Sequence, residues 1–141
     1  MLVKLSVTQG IKSNMADEIV KKKILVVDDD LMAVALMSRT LLNMGFDVIK
    51  GYNGQEALAL IKQNPVDLII LDQMMPKMNG IKACALIKMD KRYRHIPVIM
   101  FTASADESDK KISEQVGANG YCNKPLDVAV LTQKIQELLK T

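Results

Sequence analysis

From Lys23 onward, short apolar runs alternate with longer stretches in which apolar residues recur at helical spacing. Lys23–Val27 (KILVV), Phe46–Lys50, Asp67–Leu71 (DLIIL), Pro97–Phe101 (PVIMF) and Asn119–Cys122 are the runs, and their length predicts five strands. The stretches between them predict five helices. The first covers Leu31–Met44, with Gly45 at the position where a left-handed residue ends a helix. Asn53 can cap the second, with Glu56 three residues on in a capping-box pattern, and Asn64-Pro65 ends it. The third covers Gly80–Met89. Ser104 and Glu107 have the same capping-box spacing ahead of a fourth helix that stops at Gly117. Asp127 caps the last helix, with Leu126 placed to pack on Leu131.

Strict alternation of strand and helix implies α/β architecture, a parallel sheet with helices on both faces. The strands read as continuous apolar runs, as they must where both faces of the sheet are covered. A length of 141 residues suits one domain that builds its core without disulfides or metals. Apolar residues at 49% and charged residues at 25% exclude a disordered chain. No apolar run approaches the length of a membrane span, and the first residues have no secretory signal pattern, so a cytoplasmic protein with no membrane contact is expected. Cys84 and Cys122 show no metal-ligand spacing and read as buried thiols of a reducing compartment. A net charge of +3, with two Phe, three Tyr and no Trp, gives no footprint for nucleic-acid binding. Residues 1–22 stand outside the pattern as an unassigned N-terminal extension before a domain spanning 23–141. Within it, the alternation of Val3, Leu5 and Val7 with Lys4 and Ser6 hints at an extended segment, and Met15 is an alternative start.

Ligands of open parallel sheets gather at the carboxyl ends of the strands. There the sequence places Asp28, Asp29 and Asp30 after the first strand, Asp72 after the third, Thr102 after the fourth and Lys124, followed by Pro125, after the fifth. Each feature alone is common: an Asp after a strand is usually a cap or turn former, and Asp30 reads as the cap of the first helix. Their conjunction at one edge describes a divalent-cation and phosphoryl site. Two carboxylates about 5 Å apart repel by roughly 3 kcal/mol at an effective dielectric near 20, so a cluster of them calls for a cation. Mg2+ suits an all-oxygen set, with Mn2+ as an alternative occupant. Asp72, central on the edge, is the natural nucleophile for an acyl phosphate, and Lys124 and Thr102 can hold the remaining phosphoryl oxygens.

Four separated motifs, ILVVDDD (Ile24–Asp30), LIILDQMMPKMNG (Leu68–Gly80), PVIMFTA (Pro97–Ala103) and GANGYCNKPL (Gly117–Leu126), resemble the receiver domain of two-component response regulators, in order and over about residues 23–140. The resemblance implies a flavodoxin-like (βα)5 doubly wound sheet of strand order 2-1-3-4-5, like that of the chemotaxis regulator. It implies that Asp72 is the phosphoacceptor and that Asp28 and Asp29 are the acidic pair, Asp29 being the more direct Mg2+ ligand. Met74 would lend the metal its backbone carbonyl, Thr102 would be the switch hydroxyl, and Lys124 would sit on the phosphoryl group. Tyr121 would be the switch aromatic, turning from outward to inward on phosphorylation. A cis Lys124–Pro125 bond is also implied. The partners implied are a sensor histidine kinase or phosphotransfer protein and a downstream protein target. His95 has no phosphohistidine context and reads as a loop residue.

Two departures bear on subtype. DNA-binding regulators of the winged-helix group carry Ala-Asp-Asp-Tyr before the lysine and Glu-Leu-x-Ala-Arg in the last helix. Here the corresponding residues are Ala118-Asn119-Gly120-Tyr121 and Val130-Leu131-Thr132-Gln133-Lys134, without that charged dimer face. With Thr141 closing the last helix, the chain reads either as a stand-alone receiver or as one cut from a larger regulator or hybrid kinase. Such a domain is not an enzyme beyond assisting its own phosphorylation and dephosphorylation. A haloacid-dehalogenase-like phosphatase would also use an Asp nucleophile and Mg2+. It needs a second Asp two residues on, where Asp72 has Met74; Asp28 has Asp30 there, but without the expected downstream motifs. A flavodoxin-like cofactor binder needs a phosphate loop after the first strand, and DDDLMAV would repel a phosphate.

Overall fold

The computed structural model describes residues 21–140. The alternation of Val3, Leu5 and Val7 lies outside the described residues.

Five strands, β1 (Lys23–Val27), β2 (Asp47–Gly51), β3 (Leu68–Leu71), β4 (Val98–Thr102) and β5 (Gly120–Asn123), alternate with five helices. The helices are α1 (Leu31–Asn43), α2 (Gly54–Gln63), α3 (Gly80–Met89), α4 (Glu107–Gln115) and α5 (Val128–Leu138). All pairings are parallel and the spatial order is β2-β1-β3-β4-β5. This is the doubly wound flavodoxin-like arrangement, with its edge reversal between β1 and β3.

Successive strand residues point to opposite faces, and the core divides accordingly. Leu25, Val27, Ile69, Leu71, Val98 and Met100 join Ala57 and Ile61 of α2 and Ala83, Cys84 and Ile87 of α3. Ile24, Val26, Leu68, Ile70, Ile99 and Phe101 join Val34, Met37 and Leu41 of α1 and Leu131 and Ile135 of α5. Both cysteines are buried and free. Helix α4 contributes no buried apolar side chain; only Ser113 is buried on it.

Local chemistry sets the boundaries. Gly45 and Gly117 adopt φ of +97° and +99°, the left-handed region that ends α1 and α4. Asn53 accepts from the Glu56 N–H at 2.9 Å while the Glu56 carboxylate reaches back to the Tyr52 N–H at 2.8 Å. The expected Ser104 cap of α4 is corrected: the N-cap is Asp106, whose carboxylate accepts from the Ser108 N–H at 2.9 Å. Ser104 is drawn away because its hydroxyl donates to the Asp109 carboxylate at 2.5 Å. Strand β5 begins one residue later than its apolar run. Asn119 sits at its start and uses its side-chain oxygen to accept from the Val98 N–H at 2.9 Å. Among the described residues, no helix is long and apolar enough to cross a membrane.

Candidate functional site

β1 stops at Val27, so three aspartates come next without a gap, and their hydrogen bonds divide their work. Asp30 caps α1, accepting from the N–H of Met32 at 2.9 Å and of Ala33 at 3.4 Å. Asp28 is buried; one carboxylate oxygen accepts from the Asp30 N–H at 2.9 Å and the other from Lys124 Nζ at 2.7 Å. Asp29 is exposed. Carboxylate oxygens of Asp28, Asp29 and Asp72 all lie within 4.8 Å of one another.

Asp72 follows β3 and is 6% exposed. Its Oδ1 accepts from the Met74 N–H at 3.3 Å, and its Oδ2 lies 3.8 Å from Lys124 Nζ. Burial raises its pKa most, the neighbouring Asp28 charge adds to that, and Lys124 and the Met74 N–H pull it down; the result is about 6. Lys124 loses hydration by burial, but its bond to Asp28 and the charges of Asp72 and Asp28 outweigh that and raise its pKa. Lys124 thus stays charged. Three carboxylates against one ammonium leave the pocket anionic, and every donor is a hard oxygen with one of them open to solvent. That donor set fits Mg2+.

Thr102, the last residue of β4, is buried, and its hydroxyl accepts from the Ser104 N–H at 3.3 Å. Its carbonyl accepts from the Lys124 N–H at 2.8 Å, so β4 and β5 stay paired up to the residue that enters the pocket. The Lys124–Pro125 bond is cis. Tyr121 lies on β5. Its ring is partly buried against the α2–α3 side of the core, and its hydroxyl donates toward the Ser104 carbonyl at 3.2 Å. The Met74 side chain is exposed at the mouth of the site, 65% accessible. His95 is an exposed loop residue, as read from the sequence.

Two buried residues next to the site escaped the sequence reading. Gln73 is almost fully buried beside Asp72. Gly80 opens α3 directly under the acceptor: a Cβ there would stand 2.1 Å from the Asp72 carbonyl oxygen and 2.9 Å from Gln73 Cα. Its N–H donates to the Gln73 carbonyl at 2.9 Å. A glycine after a capping Asn79 signals a helix start, and only the fold shows that the missing side chain makes room for the acceptor loop. Gly80→Ala is therefore expected to push Asp72 out of register with its neighbours. It should destabilise the protein by about 1–3 kcal/mol, a typical overpacking effect. Thermal denaturation measures the loss, and the rate of Asp72 phosphorylation should fall with it.

The family model described as the response regulator receiver domain matches residues 24–136. The chain belongs to this family. Receiver domains bind Mg2+ at an acidic pocket and interact with histidine kinases and downstream effectors. The receiver domain is 37% identical over 119 residues to the alkaline phosphatase synthesis transcriptional regulatory protein PhoP of Bacillus subtilis, covering 84% of this chain and 49% of that protein. It is 38% identical over 118 residues to the transcriptional regulatory protein CpxR of Escherichia coli, again covering 84% and 49%. The chain thus spans about half the length of these curated relatives. Among solved structures, the chemotaxis response regulator CheY4 of Vibrio cholerae is 32% identical with a TM-score of 0.79, covering 85% of this chain and all of that one.

Proposed function

We propose that Asp72 accepts a phosphoryl group from a sensor histidine kinase or a phosphotransfer protein in a Mg2+-dependent reaction, and that phosphorylation alters the α4–β5–α5 face for a downstream protein. The observation that carries this reading is one buried carboxylate at the end of β3, clustered with Asp28 and Asp29 and 3.8 Å from the Lys124 ammonium, which Asp28 holds in place. In the transfer, an Asp72 oxygen bonds to phosphorus while the phosphorus–nitrogen bond to the donor imidazole breaks. The electron pair of that bond stays on the ring nitrogen, which takes up a proton. Asp28, Asp29, Asp72 and the Met74 carbonyl would hold the cation, Mg2+ or Mn2+, which supplies positive charge against the phosphoryl oxygens. Lys124 pairs with a phosphoryl oxygen from the position it already holds, and the Thr102 hydroxyl donates to another. No separate substrate is turned over; the domain assists its own phosphorylation and dephosphorylation, in the cytoplasm.

Inverting a two-state equilibrium from 1:99 to 99:1 takes roughly 5.5 kcal/mol, a scale that a few charge-assisted contacts reach. Intact-mass measurement after incubation with acetyl phosphate and Mg2+ tests the assignment. The wild type should gain one phosphoryl group and Asp72→Asn none. Equal labelling of the two would remove Asp72 from its role.

A further inference from the structure

Helix α4 lacks the apolar anchor that the other helices have, since Ser113 alone is buried on it and Ile112 is 41% exposed. Polar contacts hold its start instead. Gln73, 2% exposed and directly after Asp72, spans the gap between the acceptor loop and this helix. Its Nε2 donates to the Asp109 carbonyl in the first turn of α4 at 3.2 Å. Its Oε1 accepts from the Tyr121 hydroxyl on β5 at 3.3 Å. The orientation is dictated by chemistry: a backbone carbonyl only accepts, so the amide nitrogen faces Asp109 and the oxygen is left for Tyr121. The single Tyr121 hydroxyl proton is shared between Gln73 Oε1 and the Ser104 carbonyl at 3.2 Å, and the Ser104 hydroxyl donates to the Asp109 carboxylate. The network therefore closes across the β3–α3 loop, the β4–α4 loop, α4 and β5.

Packing alone does not call for a glutamine here. A methionine of similar length would fill the space without partners to satisfy, whereas a buried carboxamide is tolerated only when both ends are bonded. The backbone of Gln73 is pinned by the Gly80 N–H, which donates to its carbonyl.

We propose that Gln73 is a positioning residue that ties the acceptor loop to α4 and Tyr121, so that changes at Asp72 reach the α4–β5–α5 face through its carboxamide. This rests on the acceptor role proposed for Asp72. The test is NMR of the full chain as wild type, Gln73→Met, Tyr121→Phe and the double variant, each alone and with Mg2+ and beryllofluoride as the phosphoryl mimic. Without the mimic, Gln73→Met should shift the Tyr121 ring and the amides of 107–115. With it, amides 28–30 and 72 should respond at unchanged mimic concentration in all four proteins. The α4 response should fall at least about twofold in Gln73→Met and in Tyr121→Phe, with the double variant close to either single one, as for groups acting through one contact. Full α4 response in Gln73→Met, or additive losses in the double variant, would overturn the inference. Tyr121→Phe keeps the question decidable if Gln73→Met does not fold. Absence of any response at 28–30 and 72 would count against the acceptor role instead, and the spectra without the mimic would still decide whether Gln73 holds Tyr121 and α4.

Discussion

Asp29→Ala is expected to lose Mg2+ binding and phosphorylation of Asp72 together, with the fold intact. The three site carboxylates are not equivalent. Asp28 has one oxygen on the Asp30 N–H and the other on Lys124, and Asp72 must keep an oxygen for phosphorus. Asp29 alone is exposed and lies at the solvent side of the cluster. A cation arriving from water thus meets Asp29 first, and removing it takes away the carboxylate least engaged elsewhere. Loss of a direct ligand should weaken Mg2+ by at least about 100-fold, the upper range seen when even an outer partner of a metal ligand is removed. Calorimetric titration with Mg2+ and the extent of labelling by acetyl phosphate measure the two effects. Since the side chain buries nothing, the melting temperature without metal should stay level or rise as one of three like charges is removed. Normal labelling of Asp29→Ala would place the metal elsewhere.

Much of the architecture was legible because burial on a covered sheet is written locally. Ile24 and Val26 face one core and Leu25 and Val27 the other, and the uninterrupted run already implied two covered faces. Asn53 with Glu56, and Gly45 and Gly117, likewise act on neighbours within four residues. The expected Ser104 cap failed because Asp106, two residues on, took its place. The claim of Asp109 on the Ser104 hydroxyl decided between them. Asp28, Asp29, Asp72, Thr102 and Lys124 were legible because each stands at or just past the carboxyl end of a strand, where a parallel sheet gathers its ligands. Gln73 was missed because its partners, Asp109 and Tyr121, lie 36 and 48 positions away and no local pattern marks a bridging carboxamide. The contacts of the Tyr121 hydroxyl were not legible for the same reason: Gln73 and the Ser104 carbonyl lie 48 and 17 positions away, and no local pattern marks them as partners.

Asp72→Asn should be more stable than the wild type in the absence of Mg2+ above pH 6, and the difference should vanish toward pH 4. The folded protein holds the Asp72 pKa at about 6, above its ordinary value of 3.8, through burial and the Asp28 charge. A carboxyl group with a raised folded pKa binds its proton more tightly in the native state. Stability from this group is therefore fully present below the unfolded pKa and is lost as pH rises through the folded one. Asparagine resembles the protonated acid and carries no such loss. The gap in melting temperature between variant and wild type should open between pH 4 and pH 6 and level off above 7, at a few degrees per kcal/mol for a domain of this size. Mg2+ should close the gap from the wild-type side, because a cation neutralises the charge that the asparagine lacks. At tenfold excess over its dissociation constant, it adds about 1.4 kcal/mol to the protein that binds it. Melting curves of both proteins from pH 4 to pH 8, with EDTA and with Mg2+, measure all of this. A gap that does not change with pH, or a wild type that Mg2+ leaves unmoved at pH 8, would show that the Asp72 charge is not the strained element of the pocket.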